Sequence, residues 1–81
     1  MSAQWIQRIE INPQILVGKP VIKGTRISVE LVLEELAHGA TPEYLVSEYD
    51  VTEEDIHAAL LYARDSVAGE QVFEERLAAG K

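Results

Sequence analysis

The sequence predicts a mainly α fold: a helix-turn-helix three-helix bundle with a short N-terminal β-hairpin segment and a C-terminal helical tail. Three observations predict it. Ser28, Thr41 and Thr52 each stand ahead of an apolar stretch at helical spacing, where a side-chain oxygen can cap the first turn. Gly39 and Val51 stand where two of those helices must end and turn. Ahead of Ser28 the apolar residues come instead in short runs broken by Asn12-Pro13, Gly18-Lys19-Pro20 and Lys23-Gly24. The 81 residues fit a single domain, with the β segment over 1–28, the trihelical core over 29–67 and the tail over 68–81.

Trp5, Ile9 and Ile11 fall at even spacings and predict a strand over 5–11, with Trp5 as its apolar anchor. Asn12-Pro13 stops it. Ile15-Leu16-Val17 is a second short run. Val21-Ile22 and Arg26-Ile27 flank Lys23-Gly24-Thr25, which reads as a tight hairpin. Strands this short do not stand alone. They pack on the helices or pair across a dimer, and a homodimer is the expectation for so small a core.

The helices are better punctuated. Ser28 caps a helix over 29–38 with the stripe Val29, Val32, Leu33, Leu36 and Ala37, ended by Gly39. Thr41 caps a second, with Pro42 in the favoured first position, ending near Tyr49. Its inner face is Leu45, Val46 and Tyr49. Thr52 caps the third, and Asp55 three residues on completes a capping box with Asp in the place of Glu. The third stripe is Ile56, Ala59, Leu60, Ala63 and Val67. Val51 plugs a turn of helix-turn-helix length. Asp50 occupies the position where that motif usually has glycine, and Asp reaches left-handed angles more readily than most residues. Gly69 breaks the pattern, at about 1 kcal/mol relative to Ala within a helix. Val72, Phe73 and Leu77 then form a further amphipathic stretch, which is a separate helix, a continuation, or a tail that orders on a partner.

Charge divides the chain. The net charge of −7 is made of a basic N-terminal part and an acidic remainder. Residues 1–28 carry Arg8, Lys19, Lys23 and Arg26 against Glu10 alone, whereas the rest carries Arg64, Arg76 and Lys81 against every other carboxylate. Glu53, Glu54 and Asp55 crowd the start of the third helix, where the helix dipole favours carboxylates. In DNA-binding versions of the motif that start, here Glu53, Glu54, His57 and Ala58, enters the major groove. Carboxylates there oppose phosphate binding, so any DNA contact falls to Arg8, Lys19, Lys23 and Arg26. Val72, Phe73 and Leu77 either pack back on the bundle or anchor in a groove of another protein.

Other chemistry finds little support. There is no cysteine, hence no disulfide and no thiolate metal site. The Glu54-x-x-His57 pair lacks the second copy a di-iron bundle needs. Gly18-Lys19-Pro20 is not a phosphate-cradling loop. Ser28, Ser47 and Ser66 read as cap or helix-surface residues, so no catalytic residues, metal or cofactor are expected and the protein is not read as an enzyme. No apolar run approaches a membrane span, and no secretory signal pattern opens the chain, so a cytoplasmic location is expected.

One longer pattern is specific. Ile11-Asn12-Pro13, the string Gly18-Lys19-Pro20-Val21-Ile22-Lys23-Gly24-Thr25-Arg26-Ile27, then Leu36 through Glu43 and Tyr49 through Ala63, resemble the bacterial and archaeal proteins known as domain of unknown function 433. The likeness covers about residues 9–66. It implies a homeodomain-like helix-turn-helix and an antitoxin role in a type II toxin–antitoxin pair. Such an antitoxin would bind a PIN-like ribonuclease toxin and its own promoter DNA. The alternative is a helix-turn-helix module that serves protein association and binds no DNA. The resemblance brings no catalytic residues. It brings Gly18, Lys19, Pro20, Gly24, Thr25 and Arg26 as shared positions.

Overall fold

Residues 4–79 are described by the computed structural model, with side chains described for residues 4–69. A 3₁₀ turn, Gln4–Arg8, leads into strand β1, Ile9–Ile11. A left-handed turn, Leu16–Gly18, leads into β2, Pro20–Ile22. Three helices follow: α1, Val29–Ala37; α2, Pro42–Glu48; and α3, Glu53–Ala79. The fold is therefore mainly helical, with one two-stranded antiparallel sheet near the N-terminus.

The caps explain the helix starts. Ser28 Oγ accepts from the Leu31 N–H at 2.9 Å, and Thr41 Oγ1 from the Tyr44 N–H at 3.1 Å. The capping box closes in both directions. Thr52 Oγ1 accepts from the Asp55 N–H at 3.1 Å, while Asp55 Oδ2 accepts from the Thr52 N–H at 2.9 Å. The turn between α2 and α3 uses no left-handed residue: Tyr49 is extended at φ −121°, and Asp50 is not among the positive-φ positions. This is why a glycine is dispensable there. Val51 is buried and plugs the turn.

One cluster of buried residues joins sheet and helices: Ile22, Val29, Val32, Leu45, Val51, Ile56 and Ala59. The sheet pairs within the chain, Ile9 opposite Ile22 and Ile11 opposite Pro20. The predicted hairpin is reduced to its turn. Thr25 holds it, donating from Oγ1 to the Ile22 carbonyl at 2.8 Å and accepting there from the Ile27 N–H at 2.9 Å. Gly24 sits at φ +81° with no atom near its missing Cβ, so backbone angle alone demands glycine. Beyond the turn, a single bridge joins Val21 to Ser28.

Several expectations are corrected. Residues 5–8 are a 3₁₀ turn rather than a strand, because β2 ends at Ile22 and offers no ladder beyond the bond from the Lys23 N–H to the Arg8 carbonyl. In α2, Leu45 is buried but Val46 is exposed. In α3, Leu60 and Val67 are exposed and Ala58 is fully buried. The cause is that α3 is clasped from two sides, by α1 and by the N-terminal turn, which rotates its buried arc toward Ala58. Gly69 does not end α3. A lone glycine costs about 1 kcal/mol, too little to stop a helix already propagating.

Leu16, Val17 and Gly18 all lie in the left-handed region, at φ 50°, 56° and 82°. Turns from Asn12 to Lys19 hold them: Ile15 N–H to the Asn12 carbonyl, Gly18 N–H to that of Ile15 and Lys19 N–H to that of Leu16. Val17 is 94% exposed, so no packing offsets its strain.

Strain at Val17 and the tie at Tyr49 can each be measured. Val17→Gly should raise stability by about 0.5–1 kcal/mol in urea unfolding, the relief of strain exceeding the added chain entropy; a decrease would show that Val17 is not left-handed. Tyr49 donates its hydroxyl to Glu35 at 3.3 Å, tying the end of α2 to α1. Partial burial first, and then the Glu35 charge, raise its phenol above the ordinary 10.0. The linked stability is intact below that ordinary value and disappears as pH rises through the raised one. Glu35→Gln should lower the Tyr49 pKa in a tyrosinate absorbance titration.

Candidate functional site

The start of α3 is the surface a helix-turn-helix would present to DNA, and here the chain's own N-terminal turn lies against it. The Gln4–Arg8 turn packs on α3. Arg8 Nη1 reaches Asp55 Oδ1 at 3.0 Å, so one carboxylate both caps α3 and holds the N-terminal turn. Gln4, Trp5, Gln7 and Arg8 with Glu54 and His57 line a polar pocket of about 520 Å³. Trp5 is half-buried at this contact rather than anchoring a strand. Ala58, one of the positions expected to meet base edges, is fully buried.

The four basic residues do not form one patch. Arg8 lies opposite Lys23 across the sheet, and Arg26 follows in the same turn, so these three gather at one end. Lys19 precedes β2 at its other end, about 13 Å of extended chain from Lys23. There it bonds Glu30 at 2.9 Å. Arg8 and Lys19 are thus engaged, whereas Lys23 and Arg26 are exposed and join no ion pair among the described residues.

A second surface is not evident from sequence spacing. Val29, Leu33 and Ala37 of α1 face Tyr62, Ala63 and Val67 of α3 across an apolar groove of about 590 Å³, with Lys19 and Pro20 also lining it. Its only signal in the sequence is the ends of two apolar stripes, Ala37 and Val67, which spacing alone assigns to the core. Val67 is 54% exposed. From there α3 continues through the segment bearing Val72, Phe73 and Leu77, whose side chains lie outside the described residues. No described helix is long and apolar enough to cross a membrane.

The double duty of Asp55 is open to measurement. Asp55→Ala should cost about 1–2 kcal/mol in urea unfolding, since it removes a cap as well as an ion pair. Arg8→Ala removes only a partly exposed pair and should cost less than about 1 kcal/mol. The reverse order would contradict the assignment.

Comparison with known proteins places this geometry. The family model described as "Protein of unknown function (DUF433)" matches residues 9–63. A crystal structure of a DUF433 member protein from Anabaena variabilis is similar over 89% of this chain and 71% of that one, with a TM-score of 0.67 and 31% sequence identity. Among curated proteins there is no match. The matched stretch takes in both strands, α1, α2 and the packed part of α3, and the chain belongs to the DUF433 family.

Proposed function

We propose that this protein is a non-enzymatic, antitoxin-like regulator that binds a partner protein of the PIN-like ribonuclease class through the far end of α3. The contrast between the two ends of that helix carries the reading. Its start has the N-terminal turn packed against one side and presents the exposed carboxylates of Glu53 and Glu54. Its other end runs on well past Ala59, the last fully buried residue among those described, through the stretch bearing Val72, Phe73 and Leu77. A helix that continues with an amphipathic sequence suits helix-in-groove recognition of a protein. The family resemblance supplies the toxin class and the promoter. Purification of the tagged protein from its native cell extract, followed by mass spectrometry and sequencing of bound DNA, should yield a nuclease-like partner. Recovery of no such partner overturns the reading.

Lys23 and Arg26 favour a second activity, binding of the chain's own promoter, because they are exposed, adjacent and unpaired among the described residues. In mobility-shift titrations across a salt series, combined Lys23→Ala and Arg26→Ala should abolish binding to upstream DNA. Where residual binding remains, the slope of log affinity against log salt should fall by about one for each phosphate no longer neutralised. Lys19→Ala, at the far end of β2, should change little. Absence of salt-dependent binding by the unaltered protein would leave the alternative, an interaction module that reads no DNA.

A further inference from the structure

We infer that the α1–α3 groove is filled by the far end of α3 from a second copy of this chain, so that two copies pair about a two-fold axis. The groove has two apolar walls, Val29, Leu33 and Ala37 on one side and Tyr62, Ala63 and Val67 on the other, and β2 reaches it only through Pro20 and the preceding Lys19. A helix is the element whose width fits between two others. The same chain carries such a helix in excess. At 27 residues α3 is about 40 Å long, against a molecule 29 Å across in two directions and 45 Å in the third. The twelve residues from 68 to 79 contribute about 18 Å of that length after the last wall residue, Val67. Their sequence spaces Val72, Phe73 and Leu77 at helical intervals.

This segment cannot close its own groove. The helix is continuous through Gly69, so no bend returns residues 70–79 to the walls they leave. Groove and overhang are therefore complementary parts that meet only between molecules. A two-fold pairing satisfies both at once, each overhang lying in the other's groove, and it closes without propagating into a fibre. One helix in one groove is a small interface. The axis doubles it, which matters because specific association generally needs roughly 1,200 Å² of buried surface. The resulting four-helix arrangement follows ordinary bundle packing. A toxin that takes the same stripe displaces the second copy, so the two associations compete.

Ala37→Arg damages the groove and leaves the overhang intact; Ala37 is exposed in the single chain, so the core is untouched. Phe73→Arg damages the overhang and leaves the groove intact. Mass in solution, from size-exclusion chromatography with light scattering, should show a dimer for the unaltered protein. Each variant should be monomeric, with a dissociation constant raised by roughly 100-fold or more, about the effect of removing both symmetry-related helix–groove interfaces. An equimolar mixture of the two should associate more tightly than either variant alone but more weakly than the unaltered protein, because one undamaged groove and one undamaged overhang meet while the reciprocal contact stays broken. Circular dichroism checks that both variants keep their helices, and Val67→Arg replaces Ala37→Arg if that variant unfolds. A monomeric unaltered protein, dimers persisting in both variants, or a mixture that associates no more tightly than either variant alone would each overturn the inference. Ala37→Arg retains the toxin-facing stripe, so abolished pairing with retained toxin capture separates the two readings.

Discussion

Ile22 is the point at which the two dissimilar parts of the chain are held together. Its side chain is 1% exposed and belongs to the cluster that includes Val29, Leu45, Val51 and Ile56, at least one residue from each helix. Its backbone faces the other way. The Ile22 N–H bonds the Ile27 carbonyl, and its own carbonyl accepts from Thr25, while its strand pairs with β1. A two-stranded sheet of three-residue strands has almost no stability of its own. It persists because this residue is buried among the helices. The helices in turn gain another apolar side chain in the cluster that holds Val29 and Val32.

What is legible in the sequence, and what is not, follows from where the information resides. Caps are local chemistry. Ser28, Thr41 and Thr52 act on amides three residues away, and each behaves in the structure as its spacing suggests. The buried arc of α3 is not local. Spacing identifies Ile56 and Ala59, but Ala58 replaces Leu60 inside because a second element presses on the helix from the N-terminal side. Trp5 departs from its pattern for a related reason. Even spacing signals a strand only when a partner strand is available, and beyond Ile22 there is none. The basic residues are visible one by one, whereas their division between two ends of β2 depends on a register that only the fold supplies.

The same division bears on how a helix-turn-helix can be used. The motif is a way of fixing two helices at a set angle with a buried plug, here Val51, and nothing in that geometry requires nucleic acid. In this chain the helix start carries exposed negative charge with a turn packed beside it, and an apolar groove lies along α1 and α3. Exposed apolar surface thereby lies along the flank of α3 rather than at its head, while Lys23 and Arg26 stand exposed at a separate corner of the sheet.

The unbroken course of α3 has a mechanical consequence. An α-helix of about 40 Å behaves as a stiff rod on this scale. Its base is clamped at Asp55 by the capping box and by Arg8. A change of only about 5° in the seating of that base displaces the opposite tip by roughly 3 Å, most of a side-chain width. The helix is therefore a pointer as well as a wall: whatever sets the angle at Asp55 also sets where the last three turns come to lie.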